Sequence, residues 1–194
     1  NSAAANALNQ MQYPGGYPTI NVNFYTATVS NYDQSAFLKY MGEAFEAYIN
    51  KDGADAGVTM AVDATSSHVF CAAQVKANVA QEYKAVAWLL ESDIYSPYQA
   101  GATEPYHRFY DFALRNISGE YSRYNVSGKS IGFLSSAETK TISYAIPVLS
   151  DSWNVANMGV LVIVSARDAE GRWEVVNTAY CKVGESKPYE YVEL

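Results

Sequence analysis

Apolar residues stand at every second position through most of the chain after residue 55, and this alternation constrains the fold more than any other feature. The two longest alternating segments are residues 68–78 and 82–95. Since successive side chains of a β-strand point to opposite faces, a two-residue period predicts strands with one buried face. Shorter alternating segments are residues 58–62, 141–149, 159–167 and 173–183. We therefore predict six or seven strands and a mainly β fold, arranged as an immunoglobulin-like β-sandwich.

Turn-forming residues predict how these strands are connected. The short break after residue 78 predicts that the two longest strands form a hairpin-like pair. Residues 168–171, Asp-Ala-Glu-Gly, predict a tight turn before the last strand. Residues 96–140 are rich in Gly and Ser, and we predict that they are mostly loop.

The beginning of the chain follows a different pattern. Residues 1–12 are rich in Ala and Asn, which favours a short helix or a frayed start, and residues 19–25 alternate as a strand does. Asp33 is a suitable N-cap for a helix over residues 34–49. The expected buried stripe of that helix consists of Phe37, Leu38, Met41, Ala44, Phe45 and Tyr48.

The change of period near residue 55 divides the chain into two predicted parts. Residues 1–55 form a small α/β piece, and residues 56–194 form the β-sandwich domain. The first piece holds one strand and one clear helix, which is too little for an independent domain. No signal peptide precedes Asn1, so we expect a mature or trimmed form of the protein.

Composition and charge exclude several classes of function. The formal net charge is −7 and the 13 Lys and Arg residues form no cluster, so a nucleic-acid partner is not expected. No run of about 18 apolar residues is present, so we predict no transmembrane segment. Tyr occurs 17 times. Because a phenol combines an apolar face with a polar tip, this abundance favours a secreted, β-rich protein with a recognition surface.

The two cysteines, Cys71 and Cys181, both fall on the inward side of predicted strands. They are either two buried thiols that pack as small apolar groups or a disulfide that joins an early and a late strand across the core. Neither belongs to a Cys-x-x-Cys motif, and two thiols alone do not make a zinc site.

The loop after residue 96 carries the polar side chains of greatest interest. In one interpretation His107 and Arg115 belong to a binding loop whose contact surface consists of Tyr106, Phe109 and Tyr110. In the other, His107 and Arg115 fasten a long connection through hydrogen bonds to backbone carbonyls or to Glu91. Trp153 has two interpretations as well: it stacks against a sugar, or it covers one end of the hydrophobic core.

The sequence contains no motif that predicts catalysis. Ser is frequent but never stands in a nucleophile elbow, and a catalytic triad cannot be inferred from residue order when only two His are present. His68 has no second ligand at metal spacing, and residues 50–55 lack the Gly and Glu positions of an EF-hand loop. We therefore predict no catalytic residue, no metal site and no cofactor.

Several short motifs resemble one known family. A Gly16-Tyr17-Pro18 turn before a strand and a helix is similar to the second half of a thioredoxin fold, in which that Pro is commonly cis. Further matching features are Glu91, Tyr98-Gln99, Tyr106-His107 and Ala113-Leu114-Arg115. Together they resemble the Omp28-like outer membrane lipoproteins of Bacteroidetes, which pair a thioredoxin-like domain with a β-sandwich. The chain departs from that pattern in having only one His before Leu-Arg and in lacking the front half of the thioredoxin unit with its Cys-x-x-Cys.

The resemblance implies a location more than an activity. It implies a protein of the outer membrane, periplasm or cell surface of a Gram-negative bacterium, with a role in adhesion to protein or glycan ligands. Two alternatives stay open. The chain is a remnant of a thiol oxidoreductase, or it is a scaffold subunit that associates with itself or a partner through an exposed sheet edge.

Overall fold

A computed structural model describes residues 3–11, 19–22, 27–30, 35, 38–39, 41–43, 46, 53–98, 101–119 and 128–189. One helix and two short strands precede the main β region: α1 (Ala3–Met11), β1 (Thr19–Val22) and β2 (Ala27–Ser30). The next strands are β3 (Ala56–Ala64), β4 (His68–Ala77), β5 (Gln81–Glu91), β6 (Ile94–Tyr95), β7 (Phe109–Tyr110) and β8 (Ala113–Ile117). The last are β9 (Lys129–Leu134), β10 (Thr139–Pro147), β11 (Met158–Arg167), β12 (Trp173–Lys182) and β13 (Ser186–Lys187). Short 3-10 turns cover Pro105–Arg108 and Val155–Asn157.

The main β region consists of two open antiparallel sheets that share one hydrophobic core. The four-stranded sheet has the order β10-β4-β3-β13, and the five-stranded sheet has the order β12-β11-β5-β8 with β9 also paired to β5. Buried apolar side chains of both sheets belong to a single cluster. The mainly β prediction is confirmed.

The two sheets differ in how their outer faces are covered. Strand β4 alternates between buried residues and residues that are exposed or half-buried, so its outer face meets solvent. Strand β5 is buried over most of its length on both faces. The cause is helix α1, whose Ala4 and Ala7 pack against Val86, Ile117 and Ile163 on the outer face of the five-stranded sheet. The short helix predicted at the start of the chain is thus present, and it packs on the later sheet.

The predicted hairpin between the two longest strands is wrong. Strand β4 pairs with β3 and β10, whereas β5 pairs with β8, β9 and β11. The short connection after Ala77 therefore carries the chain from one sheet to the other. A two-residue period determines which side chains are buried, but it does not determine which strand lies alongside.

The prediction that residues 96–140 are mostly loop missed the short strands β7, β8 and β9 within this range. Strand β5 has 11 residues, and its free edge accepts two shorter strands in succession: β8 along Trp88–Glu91 and β9 along Gln81–Ala85. Backbone hydrogen bonds to this long neighbour form strands from Gly- and Ser-containing sequence that has no clear alternation. The predicted tight turn is correct, since Gly171 has φ 78° and its N–H donates to the carbonyl oxygen of Asp168 at 3.0 Å.

The N-terminal predictions are tested only in part. Strand β1 lies within the predicted strand, whereas its antiparallel partner β2 was not predicted. The described residues between 35 and 46 are helical, as predicted. Leu38 is 60% exposed, so it does not belong to a buried stripe, while Met41 is half-buried. The remaining stripe residues and Pro18 lie outside the described residues. No helix in the described part of the chain has the length and apolar character needed to cross a membrane.

Candidate functional site

Arg115 fastens the end of the five-stranded sheet. Its Nε donates a hydrogen bond to Glu91 Oε2 at 2.6 Å, and Glu91 Oε1 accepts one from the backbone N–H of Asn154 at 2.9 Å. The Glu91 side chain is buried, whereas Arg115 keeps 24% of its side-chain exposure. The guanidinium also lies over Trp153, 5.4 Å from the ring centre. We call these four residues the clamp.

A β-bulge positions the Arg115 side chain. In the pairing of β5 with β8, Leu90 faces Leu114 and Leu89 faces Asn116, so Arg115 is the extra residue between the two pairs. A bulge turns the side chain of the extra residue away from the regular alternation. The next residue, Asn116, joins β8 to β10, because its side-chain amide donates a hydrogen bond to the Pro147 carbonyl oxygen at 2.7 Å. The clamp therefore lies where the edges of the two sheets meet.

Residues 94–112, which we call the aromatic arm, leave the sheet next to the clamp. Strands β6 and β7 pair within the arm, and Ser96 N–H donates to the Arg108 carbonyl oxygen at 2.7 Å. Two hydrogen bonds close its base: Asp93 N–H to Asp111 Oδ1 at 2.9 Å, and Phe112 N–H to Ser92 Oγ at 3.1 Å. These contacts fix the arm on the end of β5.

The arm exposes most of the large apolar side chains that meet solvent. Six of the eleven such residues in the described part of the chain belong to it: Tyr95, Tyr98, Tyr106, Phe109, Tyr110 and Phe112. Tyr98 is 92% exposed. Tyr95 and Phe109 pack against each other with ring centres 5.4 Å apart, yet both stay exposed. Such a concentration is unusual on the surface of a soluble domain and typically marks an interaction site.

The base of the arm is held in an unfavourable backbone conformation. Asp93 and Phe112 have φ values of 59° and 55°, and this left-handed region is rare for a residue as large as Phe. The Phe112 ring is held against Tyr180, with ring centres 5.2 Å apart at 80°. Tyr180 in turn lies so close over Gly159 that a Cβ there would overlap its ring. Strain of this kind persists where the surrounding contacts impose it.

The structure separates the four candidate binding residues into two groups. Arg115 and Trp153 belong to the clamp, and Trp153 also packs against the main core. Tyr106 and His107 lie exposed on the arm, with their rings 4.3 Å apart, and His107 Nδ1 accepts a long hydrogen bond from Glu104 N–H at 3.4 Å. The Arg115 contact with Glu91 that the sequence suggested is present, whereas His107 does not share it.

Sequence reasoning missed two parts of this site. Asn154 completes the clamp through its backbone N–H. Every residue except Pro has this group, so the residue type at position 154 does not predict the contact. Tyr106, Phe109 and Tyr110 were predicted as a contact surface. Tyr95, Tyr98 and Phe112 were missed, although Tyr or Phe occurs six times between residues 95 and 112 and all six belong to the exposed set above.

Cys71 and Cys181 are buried thiols in this structure. Burial, with a smaller contribution from Cys181, raises the pKa of the Cys71 thiol to about 12, and burial also raises the pKa of Cys181. Since the thiolate is the reactive form, neither sulfur is suited to nucleophilic chemistry in the folded protein. The disulfide stays a prediction.

Comparisons with known proteins give one informative likeness. No family model and no curated protein matches the chain. The solved structure of HBP35 of Porphyromonas gingivalis matches 98% of this chain with a TM-score of 0.68 at 15% identity. The match spans 60% of that protein's length, so the likeness shows a shared fold over part of it.

Two further solved structures match more weakly. β-Glucosidase 3B from Thermotoga neapolitana gives a TM-score of 0.32 at 11% identity, over 71% of this chain and 17% of the enzyme. A β-glucosidase from Kluyveromyces marxianus gives 0.30 at 12% identity, over 71% and 14%. Both were solved in complex with glucose. Scores this low support no conclusion about this chain.

Proposed function

We propose that this chain is a non-catalytic binding module of the bacterial cell envelope, and that its aromatic arm contacts a protein or glycan ligand. The observation that carries the proposal is the concentration of exposed Tyr and Phe on one fastened arm. The fold likeness to a protein of Porphyromonas gingivalis, a Bacteroidetes bacterium, fits the envelope location implied by the Omp28-like motifs.

The physical properties of the arm suit recognition. Tyr and Phe provide large contact areas with few rotatable bonds, so little conformational entropy is lost on binding. The hydrogen bonds at Ser92 and Asp93 hold the arm in place before a ligand arrives, which reduces the ordering cost further. Tyr is also among the residues that most often dominate binding energy at interfaces.

Electrostatics narrow the class of ligand. The arm carries Glu104 and Asp111 against Arg108, and the whole chain has a net charge of −7. A strongly anionic polymer would be repelled by such a surface. A neutral glycan or a neutral to basic protein surface is the ligand class that fits.

A binding panel with matched variants tests the proposal. The full chain is applied to neutral glycans and to extracellular matrix proteins, beside Tyr98→Ser, Tyr106→Ser and a control, Leu149→Ser. Leu149 is 57% exposed but lies outside the arm. We expect each arm variant to weaken binding about tenfold, since a central aromatic contributes about 1.4 kcal/mol or more. No ligand at high micromolar protein, or equal loss in the control, contradicts the proposal.

Two finer aspects of the fold belong to the same proposal. The two sheets around one core support an immunoglobulin-like sandwich. The antiparallel β1–β2 pair, followed by helical residues between 35 and 46, supports a partial thioredoxin-like unit, because that fold ends in the same order of elements. We propose in addition that the protein is a cell-surface lipoprotein with a role in adhesion.

Two alternative functions differ in what supports them. A thiol oxidoreductase remnant gains support from the β1–β2 pair, but the raised pKa of Cys71 makes a redox role for this chain's own thiols unfavourable. Insulin reduction by a longer form of the protein that contains a Cys-x-x-Cys motif would establish the oxidoreductase function. A scaffold that self-associates gains support from β10, with which the four-stranded sheet ends. Light scattering that shows a monomer at high concentration would exclude it.

A further inference from the structure

Two cations share one tryptophan at the opposite end of the five-stranded sheet from the arm. Lys84 Nζ lies 4.3 Å from the centre of the Trp173 ring, and the Arg167 guanidinium carbon lies 4.7 Å from it. The negative face of an indole attracts each cation, which partly offsets their mutual repulsion. Two positive charges on one ring are nevertheless an unusual arrangement in a chain whose net charge is −7.

The surrounding carboxylates compensate this charge only in part. Arg167 Nε lies 3.8 Å from Glu82 Oε2, and both side chains are more than half exposed, so the ion pair is weak. Arg167 Nη1 donates to the Gly171 carbonyl oxygen. Among the described residues Lys84 has no carboxylate within 4.0 Å. Burial and the positive charge of Arg167 together lower the pKa of Lys84.

A buried hydroxyl lies on the same face of the sheet as these cations. Ser165 is directly opposite Lys84 in the pairing of β11 with β5, so the two side chains are on the same face, with Cα atoms about 5 Å apart. Ser165 is 1% exposed, and its Oγ has no hydrogen-bond partner within the part of the chain that the structure describes. Most buried hydroxyl groups in folded proteins have such a partner.

Two β-bulges flank this cluster. Strand β9 has an extra residue, Ile131, opposite the step from Tyr83 to Lys84, and β12 has an extra residue, Val176, opposite the step from Val164 to Ser165. Bulges are over-represented next to functional sites because they redirect side chains. Here they lie on both sides of the strands that carry the ammonium group and the hydroxyl.

We propose that Lys84, Arg167 and Ser165 form a binding site for a small oxyanion, a phosphate or sulfate group, beside Trp173. The oxygens of a tetrahedral anion accept hydrogen bonds from an ammonium, from the remaining guanidinium nitrogen and from a hydroxyl at the same time. The anion neutralises the pair of cations and gives the Ser165 hydroxyl its partner. Trp173 contributes an apolar wall that accommodates the uncharged part of a phosphate or sulfate ester.

The site is independent of the aromatic arm. Lys84 and Glu91 lie seven residues apart on β5, which corresponds to about 23 Å along a strand. Loss of oxyanion binding therefore leaves the arm unaffected, and loss of arm binding leaves the oxyanion site unaffected.

An NMR titration on the full chain tests the proposal. The three Trp residues give three indole N–H signals, and Trp173→Phe identifies the one from Trp173. Inorganic phosphate, sulfate and glycerol phosphate are titrated separately at constant ionic strength, with acetate as a planar anion. We expect saturable shifts of the Trp173 signal with the tetrahedral anions, and tighter binding of the ester than of inorganic phosphate if the biological ligand is a phosphate ester. Tighter binding of sulfate would identify a sulfated ligand instead.

Variants distinguish the site from general attraction by positive charge. Lys84→Met and Arg167→Gln are expected to weaken binding about tenfold, as loss of one charge-assisted hydrogen bond predicts. The matched control is Lys140→Met, which removes an equal charge from an exposed position on β10 and should leave affinity unchanged. Ser165→Ala should weaken binding without lowering thermal stability, because it removes a buried hydroxyl that has no partner. Absence of a saturable shift, or equal weakening by the control, overturns the proposal.

Discussion

Replacement of Arg115 by Ala tests whether the clamp is chiefly structural. The change removes the 2.6 Å hydrogen bond to Glu91 and leaves that carboxylate buried, where it still accepts a hydrogen bond from the backbone N–H of Asn154. Loss of one partner of a buried ion pair costs about 3–5 kcal/mol, because the remaining charge is uncompensated. Arg115 is 24% exposed, so solvent screens the pair. We therefore expect the free energy of unfolding to fall by about 2–3 kcal/mol.

Thermal and urea unfolding measure this effect directly. For a chain of this size the expected loss corresponds to a decrease in Tm of about 4–12 °C. The double variant Arg115→Ala, Glu91→Gln provides the control, because a neutral amide is cheaper to leave buried than a charged carboxylate. We expect the second change to restore about 1 kcal/mol or more. An Arg115→Ala protein that unfolds within about 0.5 kcal/mol of the parent would refute this reasoning and would favour a direct binding role for Arg115.

Two further predictions concern the core and the outer face of the five-stranded sheet. Gly159→Ala places a Cβ into the ring of Tyr180 and should lower the free energy of unfolding, measured in urea, by about 1–3 kcal/mol. Adding Tyr180→Ala to this variant should recover part of that loss. If it does not, overlap with the Tyr180 ring is not the cause of the destabilisation. The pKa of Cys71 is raised to about 12 from an ordinary value of 9.0, so the folded protein favours the neutral thiol. The resulting stability is fully present below pH 9.0 and is lost as the pH rises toward 12. A series of thermal unfolding experiments should detect this loss in the parent and a smaller loss in Cys71→Ala, where burial still raises the pKa of Tyr144 and Cys181.

The sequence was most informative where one face of a strand is buried. The inner face of β4, with Val69, Cys71, Ala73 and Val75, follows directly from its two-residue period, and all four residues are buried. Which strands pair with β4 was not predictable, because the backbone N–H and C=O groups that join neighbouring strands are the same whatever the side chains. The short break before β5 favours a hairpin by length alone, but burial in a common core separates the two strands into facing sheets.

Strands with few buried apolar side chains were the hardest to predict. Strand β9 places Ser130, Gly132 and the exposed Phe133 along β5, and no period in these residues marks a strand. The existence of β9 depends on the edge that β5 offers, which is a property of a distant part of the chain. The clamp is a mixed case. Its Arg115–Glu91 contact was inferred from opposite charge, whereas the bulge that directs Arg115 depends on how β8 pairs with β5.

The clamp and the aromatic arm act together because of where the arm enters and leaves the sheet. Glu91 faces Ala113 in the pairing of β5 with β8, so residues 92–112 form one excursion between two paired positions. An excursion of that length would normally be mobile, since closing it costs entropy and its backbone meets solvent. Here the ion pair beside Ala113 and the hydrogen bonds of Ser92 and Asp93 fix both ends. Any ligand of the arm should therefore bind Arg115→Ala more weakly, even at temperatures where that variant is fully folded. Without the ion pair the arm is less ordered in the free protein, so binding must include the entropic cost of ordering it.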